Sequence, residues 1–414
     1  MEKSFDALID KEQFEFEYNP IEEKMLLNFG PSHPATHGTL RLVMELDGEV
    51  VVKVSPELGY LHHGFEKLGE HRTYNQVVTI TDRMNYVSPL NNNFSYILAV
   101  EKLFGIEVSE RVQYFRMILA ELSRIGDHLV CMGTQGVDLG AYTPFLYLWK
   151  EREKIYYLFE IISGTRLTVS YARIGGVPRD RDEIPPIFFR QLDDYLENFG
   201  ATLAEVDRLL TRNKIWLNRT KDVGVISKED VFQYGLTGPV MRASGVEWDI
   251  RVAEPYSLYE TVDFEIPVGD AGDVYDRYLV RMEEMRQSIK IIRQALEKMP
   301  PGEMNVDSDT KVMLPKKEAV YNSIEGLIHQ FEIIMTNRGP RTGKGEAYVP
   351  TESPNGELSF YVISNGGNGP YRFRVRPPSF YNYQILPKIL EGRLLSDTVA
   401  IMSSLNIVAG EMDR

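Results

Sequence analysis

Five of the seven histidines, His33, His37, His62, His63 and His71, fall between positions 33 and 71. His33 and His37 sit in Gly30-Pro31-Ser32-His33-Pro34-Ala35-Thr36-His37-Gly38, where two prolines and two glycines dictate a loop rather than a helix. The spacing of four therefore does not make a helical zinc pair. Imidazoles on a loop that follows a strand can ligate a metal, hold a ligand, pass a proton or serve only the fold. Residue type and spacing leave these open, including an independent metalloenzyme built on the His33–His71 cluster. Two more segments carry groups that could join them: Asp82-Arg83-Met84-Asn85-Tyr86, and Gln135 to Gly140 with Asp138 inside it.

Composition narrows the chemistry. Cys131 is the only cysteine, so the chain has no disulfide framework and cannot hold an iron–sulfur cluster alone, which points to a reducing compartment. Acidic residues outnumber basic ones by 60 to 46, a balance that argues against nucleic acid. No apolar run approaches the ~18 residues needed to span a bilayer. The start of the chain is acidic and polar, unlike a secretory signal. With 414 residues, several subregions and a large core are expected.

The elements that must position these residues are legible in outline. An acidic arm over 1–24 leads into an N-terminal β region over 25–75. There Leu40, Leu42, Met44 and Leu46 alternate with polar neighbours, Asp47-Gly48 makes a turn, and Val50, Val52 and Val54 resume the alternation. A helical bundle follows over 76–310. Phe115, Ile118, Leu122, Ile125 and Leu129 mark one face of a long helix with Ser109 at its N-cap. Tyr278, Met282, Met285, Ile289, Ile292 and Leu296 mark a second, from about Asp273 to Met299, stopped by Pro300-Pro301. The C-terminal region, 311–414, opens with strands at Gly345–Val349, Leu358–Ser364 and Tyr371–Arg376, with turns at Asn355-Gly356 and Asn365-Gly366. The all-arginine face of Arg372, Arg374 and Arg376 suits either solvent or an acidic partner. The class is α+β: a central helical bundle flanked by N- and C-terminal antiparallel β regions.

The loop from Gly30 to Gly38, followed by Thr39-Leu40-Arg41-Leu42, resembles the signature of the D-subunit (quinone-site) family of respiratory complex I. Gly59 to Lys67, Glu121-Leu122-Ser123-Arg124, Ile174-Gly175-Gly176-Val177, Leu236-Thr237-Gly238-Pro239, Arg242 to Val246, Arg281 to Gln294 and the final Gly410-Glu411-Met412-Asp413-Arg414 continue the match in order. The resemblance covers the chain from about Met25. It implies a fold like the large subunit of [NiFe] hydrogenases, with the metal lost. The cysteine pairs that would hold nickel and iron fall on Asn85 and Ser88 near one end and on Val408 and Glu411 near the other. Without thiolates a soft bimetallic centre cannot form.

The resemblance further implies that the vacated cavity takes a quinone headgroup as substrate. Its ligands would be Tyr86 and His37, with Asp138 as the carboxylate partner of His37. Thr134, Val130 and Val408 would line the pocket, and no metal would be held. Each quinone oxygen gains charge on reduction and needs a donor aimed at it, which a phenol and an imidazolium provide. Electrons would come from an iron–sulfur cluster in a small partner subunit, with Arg83 near that interface; this chain would bind no cofactor alone. Other peripheral-arm subunits and a membrane subunit at the quinone entrance would be further partners. The assembly would be a proton-pumping NADH:quinone oxidoreductase, peripheral on the cytoplasmic face of the bacterial inner membrane. Two positions depart from the family's pattern. Thr168 stands where many members carry a histidine near the cluster, so the cluster potential is expected to depend less on pH. Asn406 replaces a common aspartate.

Overall fold

The chain is described by a computed structural model over residues 18–19, 24–178, 180–181, 183–306, 312–335 and 338–414. Apart from Tyr18–Asn19 and Lys24, which are strand, the expected acidic arm over 1–24 lies outside those residues.

Four antiparallel strands form the N-terminal sheet in the order β1 (Tyr18–Asn19), β2 (Lys24–Phe29), β3 (Arg41–Asp47) and β4 (Val50–Glu57). The expected hairpin forms, with Asp47 opposite Val50. Its second strand differs from expectation. Val51 and Val54 are buried, whereas Val50 and Val52 are exposed. The cause is a register shift between Glu45 and Leu46: Glu45 pairs with Lys53 but Leu46 pairs with Val51, so Val52 is skipped. A bulge of this kind moves a valine from one face to the other.

Both long helices form where the stripes predict. Glu110–Asp138 is capped by the Ser109 hydroxyl, which accepts from Val112 N, a bond worth about 1 kcal/mol. It continues past the apolar stripe seen in sequence, to Asp138, and is buried almost all round. Val274–Lys298 is capped by Asp273, whose carboxylate accepts from Asp276 N at 2.8 Å. Its inner face holds Arg277, Arg281 and Glu284 as well as apolar residues.

The C-terminal strands β5 (Lys344–Ser353), β6 (Gly356–Asn365) and β7 (Arg372–Arg376) form a second antiparallel sheet. Asn355-Gly356 lies in its tight turn. Asn365-Gly366 instead opens a longer connection, since Ile363 already pairs with Arg372. The arginine face meets acids of the same chain: Arg372 bonds Glu70 and Arg374 bonds Glu66, each at 2.9 Å.

Two apolar cores result. One joins the central helices to Leu358, Phe360, Val362 and Phe373 of the C-terminal sheet. The other packs β3 and β4 against the C-terminal helices through Leu42, Met44, Leu386, Ile401 and Met412. The two ends of the sequence thus share a core, and this carries the C-terminal residues to the middle of the molecule. The fold is mixed helix and sheet, with both sheets antiparallel.

Candidate functional site

The histidine loop is built by short-range bonds. Gly30-Pro31 is cis, and Pro34–Thr36 forms one turn of 3-10 helix. His33 caps that turn: its Nδ1 accepts from Ala35 N at 3.1 Å, and its ring packs on Phe29 with centroids 4.1 Å apart. The buried Thr36 hydroxyl is held between the carbonyls of His33 and Pro31 at 2.8 and 3.0 Å. His37 closes the turn in the left-handed region (φ 52°) and is exposed.

Asp138, the last residue of its helix, faces this loop. Burial pushes its carboxyl above the ordinary range, and the charges of His37 first and His33 next hold it back. Asp138 is the residue expected to partner His37. His33 joins it, a role that its spacing in the loop did not reveal.

Going back along the same helix, Asp127, Val130, Cys131, Thr134 and Asp138 share one face, at steps of three and four. From Tyr114 to Gly136 every residue is buried except Val130 and Thr134. Those are the two positions on this helix expected from the sequence to form a pocket wall. The Thr134 hydroxyl donates back to the Val130 carbonyl at 2.9 Å. The stretch from Asp127 to Asp138 spans roughly 16 Å of helix.

Tyr86 lies toward the Asp127 end. It is half-buried; burial raises its phenol, and the charge of Asp127 raises it further. The C-terminal helix Ala409–Asp413 packs directly on its segment. A Cβ on Gly410 would stand 2.9 Å from the Met84 carbonyl, 3.0 Å from that of Arg83 and 3.5 Å from Tyr86 Cε1. Asn85 Nδ2 donates to Glu411 Oε2 at 3.4 Å, and Ser379 Oγ donates to the same oxygen at 2.7 Å. Val408, buried, gives its backbone N–H to that Ser379 at 3.3 Å. Val408 and Glu411, three residues apart, thus meet at Ser379, and Asn85, distant in sequence, reaches the same carboxylate oxygen. Asn406, which stands where an aspartate is common, donates to Asp127 Oδ1 at 2.6 Å. An aspartate there would face a second carboxylate and need a proton to keep that bond.

The C-terminus is clamped to the second histidine segment. Asp413 Oδ2 accepts from Leu61 N, and the Asp413 carbonyl accepts from His62 Nδ1, both at 2.8 Å. Arg83 is exposed, its guanidinium turned back to the Thr79 carbonyl. His63 and His71 are exposed and stand apart from these contacts. Among the described residues no three His, Cys, Asp or Glu side chains converge as a metal would require. A cavity of about 2210 Å³ lies elsewhere, lined in part by His71, Arg111, Lys316, Tyr321 and Ile333. None of the expected site residues borders it. Sequence reasoning missed Asp127 as a neighbour of Tyr86; an acid in a helix gives no sign of burial until its surroundings are known.

The chain resembles known proteins over nearly its whole length. The family model for the 49 kDa subunit of respiratory-chain NADH dehydrogenase matches residues 138–414. The D subunit of NADH-quinone oxidoreductase from Geotalea uraniireducens is 50% identical over 392 residues, covering 95% of this chain and 99% of that one. Its counterpart from Methylacidiphilum infernorum is 51% identical over 395 residues, covering 95% and 93%. That from Leptospira biflexa is 50% identical over 392 residues, covering 95% of each.

Proposed function

The chain belongs to the family of the 49 kDa subunit of respiratory-chain NADH dehydrogenase, and from that premise we propose that its site binds and helps to reduce a quinone headgroup. It is a subunit of an NADH-quinone oxidoreductase and works with other subunits of that complex. The observation that carries the site assignment is the partly open strip of Val130 and Thr134 in an otherwise buried helix, with Asp138 and the histidine loop at one end and Tyr86 toward the other.

In this reading Tyr86 and His37 each donate a hydrogen bond to one quinone oxygen and release a proton as it gains charge. Asp138 orients the His37 ring. Val130, Thr134 and Val408 form the apolar wall beside the ring. The cavity is that of a [NiFe] hydrogenase large subunit whose four cysteine positions are Asn85, Ser88, Val408 and Glu411. The bond of Asn85 to Glu411, and the bonds of Glu411 and Val408 to Ser379, support that correspondence. Electrons arrive from an iron–sulfur cluster in a small partner subunit near Arg83, and a membrane subunit adjoins the histidine loop. No helix among the described residues is long and apolar enough to cross a membrane. In this reading the partners hold the protein at the membrane, on the cytoplasmic face.

Tyr86→Phe in the assembled complex tests the assignment. Quinone turnover should fall by on the order of 100-fold or more, the range of a lost proton donor, while NADH still reduces the cluster. Unchanged turnover would remove Tyr86, and with it this assignment of the chemistry.

A further inference from the structure

The apolar stripe of the helix Val274–Lys298 has a polar companion, one position earlier at each step. Arg277, Arg281, Glu284 and Ser288 share one face of that helix, and all four are buried. Each bonds a different element. Ser288 Oγ donates to Glu121 Oε2 at 2.7 Å, and Glu284 Oε2 accepts from His128 Nε2 at 2.8 Å. Both partners lie on the central helix Glu110–Asp138. Arg277 Nε donates to Ser404 Oγ at 3.0 Å, and Arg281 Nη2 donates to the Ser404 carbonyl at 2.6 Å. Ser404 stands in the last turn of the helix Asp397–Leu405.

These bonds hold the two sides of the proposed pocket from behind. His128 precedes Val130 by two residues and points away from it, about 200° round the helix. Its bond to Glu284 therefore sets the way Val130 and Thr134 face. Glu284 is fixed in turn, since Arg242 Nη2 and Nε donate to its Oε1 at 2.7 and 3.0 Å. On the other side, Ser404 precedes Val408 by four residues. The last carbonyls of a helix lack partners in a following turn. Arg281 supplies one to Ser404, and the Cys131 thiol of the central helix adds one to Ser403 at 3.8 Å. Asn406 then ties the two sides to each other by donating to Asp127 Oδ1 at 2.6 Å. The three elements are thus joined in a closed triangle of side-chain bonds. Arg281 bonds two carbonyls, of Ser404 and Arg277, and no carboxylate among the described residues. Burying a cation in this way is costly and a methionine would occupy similar space, so apolar packing does not account for it.

We propose that Arg281 and Glu284 are positioning residues: by holding Ser404 and His128 they set the gap between Val408 and the strip of Val130 and Thr134, and with it the size of headgroup that the site accepts. A benzoquinone and a naphthoquinone differ by a fused ring, and a gap of fixed width discriminates between them. The inference rests on Val130, Thr134 and Val408 lining the headgroup site.

The test is NADH:quinone reductase activity of the assembled complex with a benzoquinone and a naphthoquinone carrying the same short tail, read as the ratio of their kcat/KM values. Arg281→Met and His128→Leu each remove one bond of the triangle. Both should shift the ratio on the order of tenfold toward the naphthoquinone, mainly through KM, because a released wall gives way to the larger ring. Arg281→Lys keeps a donor for Ser404 and should fall between wild type and Arg281→Met. Loss of activity in the same proportion with both quinones would show that the bonds serve only the fold, and would overturn the proposal. Val130→Leu separates the two levels, since it narrows the gap directly. An unchanged ratio in Val130→Leu takes Val130 out of the pocket, and the proposal falls with that reading. A shift toward the benzoquinone there, with wild-type ratios in the Arg281 and His128 variants, refutes the clamp alone. Should Arg281→Met and His128→Leu fail to assemble, Arg281→Lys and Glu284→Gln decide. A shift of roughly two- to threefold or more toward the naphthoquinone supports the clamp, and wild-type ratios in both overturn it.

Discussion

At the scale of single residues, burial alone makes several side chains behave unlike their types. Asp82, one residue before Arg83, is fully buried, and burial lifts its carboxyl to about 7 against the pull of Ser170, Arg83 and Arg173. The ordinary value for the unfolded chain is 3.8. Between those values the unfolded chain is ionised while the folded one keeps its proton, so the fold loses stability as pH rises through that window and then levels off. Asp82→Asn removes the penalty. Relative to wild type, its stability should grow from about pH 4 to about pH 7 by on the order of 2–4 kcal/mol and stay constant above. Thermal unfolding followed at a series of pH values checks this, and parallel curves for the two proteins would reject it. None of this is written in the sequence. Nothing local to Asp82 or Asp127 marks either as buried, because only tertiary packing removes their water. What was legible at this scale was the loop: its prolines and glycines exclude a helix, and that freed His33 and His37 to act on Asp138 together.

At the scale of elements, the sequence was clearest where local chemistry and periodicity agree. The Ser109 and Asp273 caps and the apolar stripes behind them set both long helices. It was weakest where packing overrides pattern. The bulge at Leu46 reversed the faces of Val50 to Val52, and Gly133 and Gly136 hid the continuation of the central helix to Asp138. The last helix depends on a close approach that no pattern encodes. Gly410 lies against the carbonyls of Met84 and Arg83, which are backbone and cannot swing aside as a side chain could. Gly410→Ala should therefore push this helix away from Tyr86 by roughly a few tenths of an ångström or more. A misplacement of about 1 Å at a reacting group can cost on the order of 100-fold in rate, and a smaller one correspondingly less, so a loss of roughly several-fold is expected. Quinone turnover should fall accordingly in complexes that still assemble and still reduce the cluster. Full turnover with normal assembly would show that the junction tolerates a methyl group.

At the scale of the whole molecule, the exposed surface records that this chain is one subunit among several. Its helix Ile324–Ile334 exposes Ile324, Leu327, Ile328, Phe331 and Ile334 to solvent, and the neighbouring Met335 is exposed too. Single exposed apolar residues need no explanation, but a contiguous row along one helix is costly in water and marks an interaction face. The same helix contributes little to the cores: only Gly326 and Ile333 are buried in it. Its apolar residues therefore cannot be retained for the stability of this chain. Membership of a multi-subunit complex supplies the alternative, a neighbouring subunit that covers the row. Ile328→Glu and Phe331→Glu should then leave the fold of the chain intact, since neither side chain is buried, yet reduce the yield of assembled complex. Burying one unpaired carboxylate at such a contact opposes binding by several kcal/mol, enough to lower assembly by well over tenfold. Native gel separation of complexes carrying each variant reads the outcome directly. Wild-type yields for both would mean that the face stays open in the complex, and a loss of folded chain would mean that the row serves this subunit after all.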